Sequence, residues 1–134
     1  MKANANITEF SFMDSDRPVL EAELFGGAEY PDIRGKAYVY YLPDRIYFQA
    51  DFDKLPENDQ FGFHIHEGLI CEAPGGKLMP LPDVYSDENG KSSMQVFLDG
   101  ATLTQISGKP VMLHIKRDGK DDIVAACGLL NRIL

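Results

Sequence analysis

The sequence predicts an all-β domain, a sandwich or flattened barrel. Three observations carry that prediction. Short extended segments recur at intervals of roughly 8–14 residues. Clusters of Gly, Pro, Asn and Asp separate them. No apolar stripe at helical spacing is long enough to pack a helix. With 134 residues, 44% hydrophobic and 10% aromatic, the chain has the length and apolar content for a single domain over 1–134 with one core.

The elements are read in chain order. Ile7 to Met13 alternates as a strand, and Asp14-Ser15-Asp16-Arg17-Pro18 turns the chain. Val19 to Phe25 is a second strand, ended by Gly26-Gly27. Gly35 to Leu42 is rich in Tyr and Val, which suit strands. Pro43-Asp44 then turns it into Arg45 to Phe52, giving a hairpin. Phe61 to His66 is another strand. Glu67 to Pro82, with its glycines and Pro74, Pro80 and Pro82, is expected to be irregular. Val84-Tyr85 leads into Asp87-Glu88-Asn89-Gly90, where Asn-Gly signals a tight turn between strands. Ser92 to Leu98 is a strand, Leu103 to Ile106 a short helical or irregular turn, and Pro110 to Lys116 a strand. Asp118-Gly119 turns into a last strand, Ile123 to Leu130. The count is about eight strands.

Lys plus Arg is 13 and Asp plus Glu is 21, a net charge of −8. Such a chain lacks the basic footprint that nucleic acid or an anionic membrane attracts. A secretory signal needs ~7–15 apolar residues behind the N-terminus, and a membrane span needs ~18 or more; neither run is present. A cytoplasmic protein is expected. Cys71 and Cys127 are too far apart to be a C-x-x-C metal pair. They are either two unrelated buried thiols or one long-range disulfide, which adds roughly 4 kcal/mol in the chain-entropy model.

The chain has three histidines. His64 and His66 stand two apart in Phe61-Gly62-Phe63-His64-Ile65-His66-Glu67, so on a strand both point to one face while Phe63 and Ile65 point to the other. Their backbones are then ~6–7 Å apart, a span one ion can bridge at bonds of ~2.0 Å. His114, in Val111-Met112-Leu113-His114-Ile115, shares a face with Met112 and Lys116. Imidazole suits zinc, copper, nickel and iron alike, so an H-x-H pair by itself leaves the metal open.

Taken together, Gly62-Phe63-His64-Ile65-His66-Glu67, Cys71, Gly75-Gly76, Asp87-Glu88-Asn89-Gly90, Gly108 through His114 and Ala126-Cys127-Gly128 resemble the copper/zinc superoxide dismutase family in order and spacing. The likeness runs over roughly residues 7 to 132. It implies an eight-stranded Greek-key β-barrel, immunoglobulin-like in layout. It implies copper held by His64, His66 and His114, and a Cys71–Cys127 disulfide. Family members are often dimers, so a homodimer is a possible state.

The departures from the family are informative. Its bridging histidine is replaced by Lys77 within Gly75-Gly76-Lys77-Leu78-Met79-Pro80. Its zinc loop is missing, and Pro80 leads at once to Leu81-Pro82-Asp83-Val84. Val124 stands where the family has the arginine that guides superoxide. One copper ion and no zinc is therefore the expected cofactor content. Lys77 is the candidate catalytic residue, as a cation drawing the anion or as a proton donor; otherwise it is a solvated loop lysine. Glu67 is either an acceptor orienting a ligand imidazole or a loop acid. Met79 and Met112 read as core, although thioethers favour Cu(I). Lys116 and Arg117 read as charges at a strand end. Two functions are expected from the likeness: copper-dependent superoxide dismutation, or copper binding without catalysis as a buffer or carrier. The expected partners are accordingly superoxide or a copper ion.

Overall fold

Alternation of apolar and polar residues decides which side of each strand turns inward. A computed structural model describes residues 17–133, with the backbone alone at 120–122; the strand expected over Ile7–Met13 lies outside them. In β1 (Leu20–Gly26), Leu20, Ala22 and Leu24 are buried while Glu21 and Glu23 are exposed. β2 (Arg34–Tyr41) and β3 (Ile46–Asp53) form the expected hairpin, paired from Arg34↔Asp53 to Tyr41↔Ile46. Leu42 N–H donates to Arg45 C=O at 3.0 Å and closes the turn around Pro43-Asp44. The chain continues through β4 (Gln60–His66), β5 (Lys77–Tyr85) and β6 (Ser92–Leu98). After the one-turn helix α1 (Leu103–Ile106) come β7 (Pro110–Arg117), β8 (Lys120–Leu129) and the two-residue β9 (Asn131–Arg132). Thr102 and Gln105 cap α1 reciprocally, side chain to backbone, at 3.2 and 2.9 Å.

The strands make one antiparallel sheet in the order β5-β4-β7-β8-β1-β2-β3-β6, with β9 added to β1. Neighbours that are not consecutive in the chain, β3/β6, β4/β7 and β8/β1, mark Greek-key-type crossovers. The sheet curls until its end strands β5 and β6 lie close, a nearly closed barrel. Its inward residues form one core, with Phe48, Phe61, Phe63, Ile65, Val111 and Leu113 all fully buried. Among the described residues, no helix is long and apolar enough to cross a membrane.

Two expectations are corrected. The stretch Glu67–Pro82 is not irregular throughout, because its last six residues, from Lys77, belong to β5. The prolines are tolerated because β5 is an end strand. A proline is placed in a sheet on an edge strand or at a bulge; Pro80 lies on this edge strand opposite His64, and Pro82 at the register shift between Leu81 and Val84. The Asn89-Gly90 turn does form, with Gly90 at φ 75° and the Asp87 carboxylate accepting from the Asn89 and Lys91 N–H groups at 2.8 and 2.9 Å. These two bonds hold the Asp87 carboxyl below its ordinary range. The strands it joins, however, are not neighbours in the sheet. Asn58 N–H donates to Asp87 C=O and Leu55 N–H to Gly90 C=O, at 3.0 and 2.9 Å. Those bonds pin the turn to the β3–β4 connection, so it carries the chain across the barrel end from one edge to the other.

Candidate metal centre

The rotation of β4 is set by its inner face. Phe61, Phe63 and Ile65 are fully buried, and Phe63 meets Phe48 and Phe52 edge-on at 5.9 and 5.4 Å. Gly62, His64 and His66 must then face outward. On β7, Val111, Leu113 and Ile115 turn inward, leaving Met112 and His114 outward. Pairing of β4 with β7 sets Gly62 opposite His114 and His64 opposite Met112. Side chains on directly opposed residues of such a pair have Cβ atoms ~4.5–5.5 Å apart. The lack of a side chain at 62 therefore leaves room for the His114 ring to lean toward His64.

The three imidazoles form a near-equilateral triangle. Ring centroids are 6.1 Å apart for His64–His66, 5.5 Å for His64–His114 and 5.7 Å for His66–His114. One nitrogen of each lies within 4.8 Å of the other two. The buried nitrogens are Nδ1 of His64 and Nε2 of His66 and His114. His64 is half-buried as a residue even though its Nδ1 is covered. The residues fit a metal ion. Bonds of ~2.0 Å to a shared ion set nitrogens roughly 3.3–3.5 Å apart, which small ring rotations reach from here. Three imidazoles also leave a coordination position open. Among the described residues this is the one group of three or more His, Cys, Asp or Glu side chains placed to share an ion.

His66 shows how the centre is prepared. Its Nδ1 is 3.0 Å from the Gly75 carbonyl oxygen. A carbonyl only accepts, so Nδ1 carries the proton and Nε2 keeps its lone pair. That Nε2 is buried and has no hydrogen-bond partner among the described residues, which a bound cation would remedy. The acceptor for His66 is therefore a backbone group of Gly75, while the exposed Glu67 carboxylate lies beside Gly76, as its reading as a loop acid has it.

The loop 67–76 is itself held. Glu67 N–H donates to Gly76 C=O and Gly68 N–H to Pro74 C=O, at 2.9 and 2.6 Å. Lys109 Nζ donates to Glu67 C=O at 2.9 Å. Gly75 has φ 71°, and a Cβ there would come within 3.2 Å of Gly68 N, so the bend that aims its carbonyl suits glycine alone. Cys71 is bonded to Cys127 on β8, with Cα atoms 6.0 Å apart, which ties the loop tip down over the outer face.

The charges nearby are placed as follows. Lys77, exposed, begins β5 directly across from His66. Lys116, two residues beyond His114, is paired with Asp83 at 3.2 Å, and Gln60 Nε2 donates to the same carboxylate at 2.6 Å. Val124, 39% exposed, lies across from His114 on β8. Met79 packs against the core, as expected. Met112 does not belong to it, although it is only 2% exposed.

The fold and the site together define a class: an antiparallel β-barrel whose outer face carries three convergent histidines able to hold a metal. No protein-family model matches this chain, and no curated protein matches it significantly.

Proposed function

We propose that the chain binds one copper ion through His64, His66 and His114 and that the loaded protein dismutates superoxide. The observation that supports this most is the convergence of three buried imidazole nitrogens within 4.8 Å. All three histidines of the sequence take part. Bound copper would supply one-electron cycling between two oxidation states, which zinc cannot. The protein's share is to fix the His66 ring through Gly75 so that Nε2 faces the ion, to leave space at Gly62, and to set Lys77 across from His66, where its charge draws a small anion.

A second reading is copper binding without turnover. It is favoured by Val124, an apolar side chain across from His114 at the mouth of the site. Copper titration of the metal-free chain, followed by a superoxide-decay assay beside a His64→Ala/His66→Ala variant, separates them. One-to-one binding with superoxide consumption above the free-copper background, lost in the variant, is the expected result. Binding without consumption makes the protein a copper buffer or carrier. No binding overturns both.

A further inference from the structure

We propose that Met112 is the specificity-determining residue of the centre, its thioether facing the histidine triad and biasing it toward Cu(I) over Zn(II). This rests on the triad being a copper site. Met112 is directly opposite His64 on β4, directly opposite Cys127 on β8, and two residues before His114 on its own strand. Cross-strand pairs and i, i+2 residues share a face. Met112 therefore stands on the outer face among His64, His114 and the disulfide, and it shares a recess with Cys71 and Cys127.

Burial without membership of the core is the telling combination. A methionine on the solvent side of a sheet is ordinarily exposed at least in part; this one is 2% exposed, yet its register turns it to the face of His64 and Cys127, apart from the inward-facing cluster. The geometry of the ligand nitrogens brings the centre close to it. His64 presents Nδ1, the ring nitrogen nearest its backbone, while His66 and His114 present the more distant Nε2. A point shared through Nδ1 must lie nearer the backbone at His64 than at the two rings that use Nε2, and Met112 is based directly opposite His64. An unbranched side chain with three rotatable bonds can place its sulfur there. Soft thioether sulfur selects Cu(I) and offers little to Zn(II), which prefers imidazole, carboxylate and thiolate.

The test is Met112→Leu, which conserves volume and apolarity. Cu(I) affinity is measured by competition with a chromogenic chelator and Zn(II) affinity by a second competition, in both proteins. The expected result is a fall of about tenfold or more in Cu(I) affinity with Zn(II) affinity unchanged. Equal change for both metals, or none, overturns the assignment while leaving the copper site standing. Copper-edge X-ray absorption of the Cu(I)-loaded wild type needs no variant: a sulfur scatterer is expected, and a shell of nitrogen alone overturns the proposal even if the leucine variant does not fold. Failure of the wild type to bind copper at all removes both this assignment and the reading on which it rests.

Discussion

On β1 and β2 the outward residues Glu21, Glu23, Arg34 and Lys36 stand in solvent, whereas on β4 and β7 the outward residues His66, Met112 and His114 are buried. The alternation of the two halves is the same. What differs is the cover. The first half sets opposite charges at facing positions, Glu23 across from Lys36. The second is roofed by the loop 67–76 and its disulfide. Burial of imidazole on the solvent side of a sheet buys no core packing, so the roof serves the site and not the barrel.

The sharpest break of this comparison uses two positions next to each other in β4. Phe63→Ala removes a fully buried ring from the inner face and should cost ~3–5 kcal/mol in denaturant unfolding. His64→Ala, on the outer face, should cost within ~1 kcal/mol yet abolish metal binding. Equal stability losses would show that the two faces of β4 are not distinct. Next in size is the roof. Cys71→Ser/Cys127→Ser should lower stability by about 4 kcal/mol, read as a shift in denaturation midpoint; a loss under ~1 kcal/mol would mean that the loop is held by its hydrogen bonds alone.

Gly62→Val tests the space beside His114. Gly62 is buried and its space is taken by the His114 ring, so stability should fall by ~1–3 kcal/mol and metal affinity by at least about tenfold, seen by isothermal titration. Unchanged affinity would show that the His114 ring does not use that space. The smallest effect concerns an exception on the solvent half. Tyr47 faces outward on β3 yet is 3% exposed, between the rings of Tyr40 at 5.5 Å and Phe97 at 5.7 Å. Burial pushes its hydroxyl up from 10.0 to about 12, aided by Tyr40 and Asp51. Folding thus favours the protonated form. Its contribution is complete below pH 10 and is lost as pH rises toward 12. The melting temperature of the wild type should fall more steeply over that window than that of Tyr47→Phe; parallel curves would count against a buried Tyr47.

Much of this was legible in the sequence because alternation encodes it. Phe61, Phe63 and Ile65 against Gly62, His64 and His66 declares both the strand and the shared face of the histidine pair, and the β2–β3 hairpin follows from its turn residues. The extent of β5 was hidden, since prolines argue against a strand unless it is known to lie at a sheet edge, and edges are a property of topology. The Gly75 carbonyl left no trace because any residue has one; a glycine in a histidine-following loop was the sole hint. Met112 was legible only in part. Alternation sets it on the His114 face of its strand, but in Val111-Met112-Leu113 every residue is apolar, so its burial reads as that of a core residue.

The prolines of β5 have a consequence for how molecules of this protein meet. A sheet that does not quite close leaves a row of backbone groups exposed to whatever extended peptide drifts past. Pro80 and Pro82 bring no N–H donor to this edge strand, and the ladder shifts register beside Pro82. A foreign strand seeking to extend the sheet there would meet a broken row of donors. The open seam of the barrel is thereby kept from becoming a template for aggregation.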